Sequence, residues 1–216
     1  MGEEVKICAI FGAGEVNDYE AIAAMLPAGA FIIAADGGLS HLIGMGLTPH
    51  LVIGDFDSYR GLPPQGVPVI RHSSVKDFSD MEASVDYAVE HGFNQILIFG
   101  GMGGRLDHTL GNLALLYSAQ YRGASAMLLD ESTVVMLLKG GVNELVNAKG
   151  SHLSLFPYSV TTAKVALEGM EYSGDEIYLR TDNTLGLSNE IVSNKAAVTV
   201  YYGYVMSIIT DARGKK

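Results

Sequence analysis

The chain has 216 residues, 48% of them hydrophobic and 18% charged, which is the composition of an ordered globular protein with a sizeable core. Its 14 Lys and Arg stand against 24 Asp and Glu, and this formal net charge of -10 argues against a nucleic-acid or anionic-membrane partner. A single cysteine, no secretory signal and no apolar run of membrane-spanning length lead us to expect a cytoplasmic protein without disulfides.

Residues 1–130 alternate between short apolar runs and helical patterns. The apolar runs are continuous enough to be buried on both faces of a parallel sheet, and they predict strands at 5–11, 30–35, 51–53, 67–70, 95–99 and 125–129. The segments between them predict helices at 18–25, 39–45, 79–91 and 108–119. Alternation on this scale predicts an α/β domain over residues 1–130, built on a doubly wound, mostly parallel sheet.

The third helix is the most clearly marked. Ser79 and Glu82 form an S-x-x-E capping box at its start. Gly92 follows its last turn, where a helix commonly stops.

From residue 131 onward the pattern changes to strand-like runs separated by Gly, Asn and Asp turns. These runs lie at 134–138, 152–156, 163–167, 176–179 and 197–209, and no helical pattern accompanies them. The last run is rich in Val, Tyr and Ile, which suit a pleated surface. We therefore expect a second, all-β sandwich domain over residues 131–216.

Aspartates follow or flank several of the predicted strands. Because ligands bind outside the carboxyl ends of the strands in an open parallel sheet, these side chains should share one edge. They are Asp36, Asp55, Asp57, Asp80 and Asp107. Two carboxylates ~5 Å apart repel by roughly 3 kcal/mol at an effective dielectric of about 20, so the cluster calls for a cation. Oxygen ligands without His or Cys suit Mg²⁺ or Mn²⁺ shared with substrate phosphates.

A glycine-rich segment, 100–104, precedes Arg105 and the start of the fourth helix. Its backbone N–H groups can approach an anion closely, and Arg105 can add a bidentate phosphate contact. No Walker A motif occurs in the chain. The Gly12-Ala13-Gly14 segment lacks the third glycine of a dinucleotide-binding fingerprint, which argues against NAD.

The remaining reactive residue types have structural interpretations. Cys8 lies inside a predicted strand and is interpreted as a small core residue. Five histidines lack metal-ligand spacing and are interpreted as structural or solvated: His41, His50, His72, His91 and His152. His108, beside Asp107, is either a substrate contact or an exposed first-turn residue.

Together these segments resemble the thiamine pyrophosphokinase family. The resemblance rests on ADGG at 35–38, GDFDS at 54–58, K-D-x-S-D at 76–80, GGRLDH at 103–108 and TLGLSNE at 184–190. It implies an α/β domain joined to a β-sandwich in a homodimer. It also implies Mg²⁺-dependent transfer of the diphosphoryl group of ATP to the hydroxyl of thiamine, with release of AMP.

The family also implies roles for individual residues. The metal ligands would be Asp55, Asp57 and Asp80, and with Arg105 they would form the catalytic group. The ATP-binding residues would be Asp36, Lys76, Ser79, Arg105 and Asp107. The thiamine-binding residues would be Asp107, Leu187, Ser188 and Asn189, at an active site built across the subunit interface.

Two other functions remain open at this point. A diphosphokinase acting on another small alcohol, such as a hydroxymethylpterin, would fit the N-terminal motifs equally well, and segment 184–190 favours thiamine. A non-catalytic nucleotide-binding module would be expected to lose its metal ligands, and Asp55, Asp57 and Asp80 are all present.

Overall fold

The computed structural model describes residues 4–55, 63–72 and 77–211. The chain forms two compact units, divided between Glu131 and Ser132. The first is an α/β unit and the second consists of antiparallel strands. Within the described ranges, no helix is both long and apolar enough to cross a membrane.

The sheet of the first unit is parallel, with strand order β6-β5-β1-β2-β3-β4. Its strands are β1 Ile7–Phe11, β2 Phe31–Ala35, β3 Leu51–Gly54, β4 Val69–Arg71, β5 Gln95–Phe99 and β6 Ser125–Leu129. Four of the five residues in each of β1, β2 and β5 are buried, as continuously apolar strands between two layers should be. The α/β fold predicted from the apolar runs is thereby confirmed.

Helices follow four of these strands. They are α1 Tyr19–Met25, α2 Leu39–Gly44, α3 Asp80–Glu90 and α4 Leu106–Tyr121, and a 3-10 turn covers Asp36–Gly38. The Ser79 hydroxyl accepts the backbone N–H of Glu82 at 3.0 Å and caps α3. After α3, Gly92 has φ +78°, and the N–H of Phe93 donates to the carbonyl of Ala88 at 3.0 Å, closing a Schellman motif.

The strand order reverses between β1 and β5. From β1 the chain moves to β2 on one side, whereas β5 and β6 lie on the other side. The carboxyl ends of β1 and β5 therefore form a topological switch point, the usual ligand crevice of such a sheet. The loops after these two strands touch, because Gly12 N–H donates to the Phe99 carbonyl and Gly14 N–H to the Gly100 carbonyl, each at 2.8 Å.

The second unit contains two antiparallel groups of strands. Their orders are β12-β9-β14-β7 and β11-β10-β13-β8. The strands are β7 Thr133–Leu138, β8 Gly141–Leu145, β9 His152–Tyr158, β10 Thr162–Glu168, β11 Gly174–Arg180, β12 Asn189–Glu190, β13 Ala196–Tyr202 and β14 Tyr204–Thr210. Buried side chains from both groups, such as Leu155, Val165 and Val205, form one apolar core, which confirms the predicted β-sandwich.

Two predictions for the second unit need correction. The run at 197–209, predicted as one strand, forms two strands in different groups, because Gly203 at φ +87° turns the chain from β13 into β14. The strand β8 was also missing from the predicted strands. That strand borders its group and is mostly exposed, so it lacks the apolar alternation of a half-buried strand.

Cys8 is fully buried in β1, and burial raises the pKa of its thiol from the ordinary 9.0 to about 12. At about pH 8 its thiolate fraction should fall roughly a thousandfold, so we expect native protein to react with a thiol reagent only as fast as it unfolds. Because the folded pKa is the higher one, this group should destabilise the fold as pH rises above 9.0. Thiol-labelling kinetics with and without urea test the protection of Cys8, and rapid labelling of the native state would contradict it.

Candidate functional site

A cavity of about 770 Å³ opens at the carboxyl ends of the strands of the first unit. Its wall includes the loops after β1 and β5 and the first turns of α3 and α4. Four of the five aspartates noted in the sequence line it, namely Asp36, Asp55, Asp80 and Asp107. Asp57 lies outside the described residues.

Three of these aspartates form a compact acidic cluster. One carboxylate oxygen from each of Asp36, Asp55 and Asp80 lies within 4.8 Å of the other two. Asp36 is buried at the end of β2, Asp55 follows β3 and Asp80 begins α3. Like charges at this distance repel by roughly 3 kcal/mol per pair at an effective dielectric of about 20. The all-oxygen donor set therefore fits a hard divalent cation.

Two glycines allow Asp36 to reach this position. Asp36 itself has φ +44°, an uncommon backbone conformation for a residue with a side chain. A Cβ on Gly38 would lie 1.8 Å from the Phe11 carbonyl oxygen, and one on Gly54 would lie 3.0 Å from the Asp36 Cα. The turn after β2 therefore packs against the backbone of its neighbours on both sides.

The loop after β5 forms a glycine wall in the cavity. Gly100, Gly103 and Gly104 have φ of +61°, +82° and +62°, a backbone region that favours glycine, and α4 starts two residues later. The wall is closely packed against the loop after β1, because a Cβ on Gly14 would meet the Gly100 oxygen at 2.6 Å. Glycines leave their backbone N–H groups uncovered by side chains. Beside a helix N-terminus, such N–H groups suit a phosphate group.

Arg105 and Asp107 form an exposed ion pair at the rim of this wall. The Arg105 guanidinium donates from Nη2 at 2.6 Å and from Nε at 3.1 Å to the two carboxylate oxygens of Asp107. The hydrogen bonds from Arg105 hold the pKa of the Asp107 carboxyl below its usual range, and the backbone N–H of His108 lowers that pKa further. Asp107 thus orients Arg105 and does not join the acidic cluster. Both side chains are well exposed, so the pair adds little stability and Arg105 stays accessible to a ligand.

Of the other two residues predicted to bind ATP, only Ser79 lies within the described residues. Ser79 lines the cavity, where its hydroxyl caps α3. Lys76 lies outside the described residues.

The segment predicted to meet thiamine belongs to the second unit and packs along β9. The Gly186 carbonyl accepts the Leu155 N–H at 2.8 Å, and the Ser188 N–H donates to the Ser154 hydroxyl at 3.1 Å. Ser188 has φ +56°, and Leu187 is exposed.

Asn189 fixes the end of this segment through its side-chain amide. Its Oδ1 accepts the Tyr172 N–H at 3.0 Å, and its Nδ2 donates to the Tyr172 carbonyl at 2.8 Å. This pair of bonds imitates the pairing of two strands, so Asn189 holds the segment in place.

The sequence did not reveal three side chains that hold the cavity loops. His41 Nε2 donates to the Gly14 carbonyl at 2.8 Å, and Asn112 Nδ2 donates to the Gly101 carbonyl at 2.8 Å. Glu131 accepts the backbone N–H groups of Asn17 and Asp18 at the start of α1. Of these, only Glu131 had a usable signal, since it follows β6 at the carboxyl edge of the sheet.

Glu131 is held in its charged form by these contacts. Burial raises the pKa of its carboxyl, but N–H groups of its own residue, Asp18 and Asn17 outweigh that effect, so its pKa lies below the usual range. The carboxylate therefore anchors the N-terminus of α1, where a negative charge is favourable.

Two family models match the chain in succession. The thiamin pyrophosphokinase catalytic domain matches residues 23–129, and the thiamin pyrophosphokinase vitamin B1 binding domain matches residues 142–205. A thiamine pyrophosphokinase of Bacillus subtilis is 28% identical over 182 residues, covering 82% of this chain and 85% of the relative. A thiamin pyrophosphokinase of Caenorhabditis elegans is 24% identical over 189 residues, covering 82% of this chain and 77% of the relative.

Solved structures agree with this assignment. A thiamin pyrophosphokinase structure from Geobacillus thermodenitrificans matches at a TM-score of 0.81 and 27% identity, covering 96% of this chain and 99% of that one. A thiamine pyrophosphokinase structure from Bacillus subtilis, at 24% identity, has the same fold with a TM-score of 0.86 over 95% of this chain and 99% of that one. The two matched domains in order, over this α/β unit and β-sandwich, show that the chain belongs to the thiamine pyrophosphokinase family.

Proposed function

We propose that the protein is a thiamine diphosphokinase, which transfers the diphosphoryl group of ATP to the hydroxyl of thiamine and releases AMP. The observation that carries the proposal is the match of a catalytic and a vitamin B1 binding domain to one chain. The acidic cluster and the glycine wall, brought together in one cavity, supply the charges and backbone donors that phosphoryl transfer needs.

The proposed cofactor is Mg²⁺, with Mn²⁺ as an alternative. Three of its proposed ligands lie within the described residues, namely Asp36, Asp55 and Asp80, and one carboxylate oxygen of each lies within 4.8 Å of the other two. Asp57 is proposed as a further ligand on its sequence position, two residues after Asp55. When bound, the ion neutralises charge on the phosphates. Because Asp36 belongs to the acidic cluster, we propose it as a metal ligand as well as a residue of the nucleotide site.

The proposed ATP site is the glycine-walled side of the same cavity. Arg105, which is hydrogen-bonded to Asp107, would neutralise the transferred phosphates, and the glycine wall would offer backbone N–H groups. Ser79 and Lys76 would contribute at the start of α3. Chemistry of this kind depends on positioning and charge neutralisation, and it requires no covalent nucleophile from the protein.

The proposed thiamine site uses Leu187, Ser188 and Asn189 together with Asp107. The exposed Leu187 offers apolar surface to the vitamin, and Asn189 fixes the segment through Tyr172. We propose that the protein works as a homodimer in which one subunit's segment 184–190 completes the other's active site. Light scattering should give about twice 23.0 kDa for the active species, and an active monomer would contradict the dimer.

The test of the reaction is the identity of its first products. Attack of the thiamine hydroxyl on the β-phosphorus of ATP breaks the α–β bridge, so AMP and thiamine diphosphate should form together in equal amounts. Phosphorus NMR of an early time point with ATP, Mg²⁺ and thiamine reports both products, and hydroxymethylpterin serves as the control alcohol. ADP with thiamine monophosphate, or faster turnover of the pterin, would contradict the proposal.

A further inference from the structure

One side chain outside the proposed catalytic group supports a loop of the cavity wall without lining the cavity. His41 lies on α2 and does not line the cavity itself. Its Nε2 lies 2.8 Å from the carbonyl oxygen of Gly14, a residue that does line it. Because a carbonyl only accepts, this nitrogen must carry the proton.

The other ring nitrogen of His41 is engaged as well. The Tyr19 hydroxyl lies 3.1 Å from Nδ1, and in the neutral ring this hydroxyl is the donor. Tyr19 also packs edge-on against the ring, with centroids 5.9 Å apart. A Cβ on Gly44 would come within 2.7 Å of the Tyr19 ring, so the tyrosine lies close against the end of α2. The Gly14 carbonyl and the Tyr19 hydroxyl thus fix both the orientation and the tautomer of His41.

The carbonyl that His41 binds lies where the loop after β1 meets the glycine wall. Gly14 donates its N–H to the Gly100 oxygen at 2.8 Å, and a Cβ on Gly14 would lie 2.8 Å from the Met102 oxygen. With its N–H bonded to one loop and its carbonyl to His41, Gly14 has both peptide planes fixed. Movement of this residue would move the glycine wall.

We infer that His41, with Tyr19 behind it, is a positioning residue for the nucleotide phosphates. It keeps the loop after β1 and the glycine wall in the spacing that admits them, without touching the ligand. This inference rests on the proposed function, since it deepens the assignment of the glycine-walled side of the cavity to ATP.

The test measures nucleotide affinity separately from turnover. The probe is α,β-methylene-ATP with Mg²⁺, titrated by calorimetry, because its α–β bridge cannot be cleaved. His41→Phe removes the donor and keeps a planar ring, and we expect its Kd to rise about five- to tenfold, the equivalent of one hydrogen bond. His41→Gln, which restores an amide donor, should recover most of the affinity. Tyr19→Phe should weaken binding about two- to threefold.

A matched control exists in the same unit. His50 also bonds the backbone through a ring nitrogen, accepting the Ile32 N–H at 3.0 Å, but it precedes β3 at the amino end of the strand. His50→Phe should lower the Tm and leave the Kd of the nucleotide unchanged. Steady-state assays should show a raised KM for ATP in His41→Phe, with kcat and the KM for thiamine little altered.

Several outcomes would overturn the inference. They are wild-type affinity in His41→Phe, equal losses of affinity in His41→Phe and His50→Phe, or no recovery in His41→Gln. Should His41→Phe fail to fold, unchanged affinity in Tyr19→Phe would overturn it instead. Wild-type protein that binds the nucleotide but forms no thiamine diphosphate would contradict the proposed reaction alone, and the binding series would still decide the role of His41.

Discussion

Asp80→Asn is expected to reduce kcat/KM at limiting Mg²⁺ on the order of a hundred- to a thousandfold. The change keeps the size of the side chain but removes one of three negative charges that lie within 4.8 Å of one another. Asp80 is the first residue of α3, where a negative charge also favours the helix by only about 0.3–1 kcal/mol, so the variant should fold. Raising the Mg²⁺ concentration should recover part of the activity.

The matched control for this variant lies on the same helix. Asp86→Asn removes an equal charge from α3, but Asp86 faces Arg122 and does not line the cavity. It should leave both turnover and the Mg²⁺ requirement unchanged. Asp36→Asn and Asp55→Asn should behave like Asp80→Asn. Normal activity of Asp80→Asn at limiting Mg²⁺ would remove this residue from the metal site.

The fold of the first unit could be predicted because its strands carry their own signal. A strand buried on both faces, such as β1 or β5, is apolar at nearly every position, and that pattern can be recognised without knowing the neighbouring strands. The second unit was harder. Only the φ of Gly203 separates β13 from β14, and glycine alone does not tell a turn from a strand residue.

The sequence could predict the edge of the sheet at which the candidate site lies, but not which side chains meet there. The rule for open parallel sheets places Asp36, Asp55 and Asp80 at the carboxyl edge of the sheet, and all three line the described cavity. Which carboxylates meet depends on packing between segments far apart in the chain. Asp107 shares the cavity, yet a guanidinium two residues away engages it instead.

Two of the three residues that bind the backbone of the cavity loops left no signal in the sequence. His41 and Asn112 each hold one glycine carbonyl, at sequence separations of 27 and 11 residues. Their side chains belong to helices whose patterns are set by core packing, so neither the period nor the residue type distinguishes them from solvated positions.

Gly38→Ala is expected to lower the free energy of unfolding by about 3 kcal/mol or more and to abolish most activity. The added Cβ would lie 1.8 Å from the Phe11 carbonyl oxygen and 2.4 Å from its carbon. Both are backbone atoms at the end of β1, so no change of rotamer can relieve the contact. The chain must move, and the 3-10 turn that Gly38 closes begins at Asp36, a member of the acidic cluster.

Gly111→Ala provides the control for this change. Gly111 lies within α4 and also borders the cavity, but a Cβ there would meet no atom within 4 Å. Since alanine favours a helix interior over glycine by roughly 0.8–1 kcal/mol, this variant should be slightly more stable than the parent. Thermal melting should separate the two, with Gly38→Ala lower by roughly 6–12 °C for a chain of this size. If Gly38→Ala melted with the parent and kept its activity, the turn after β2 would not be held against β1 as the structure shows, and the placement of Asp36 in the acidic cluster would fall with it.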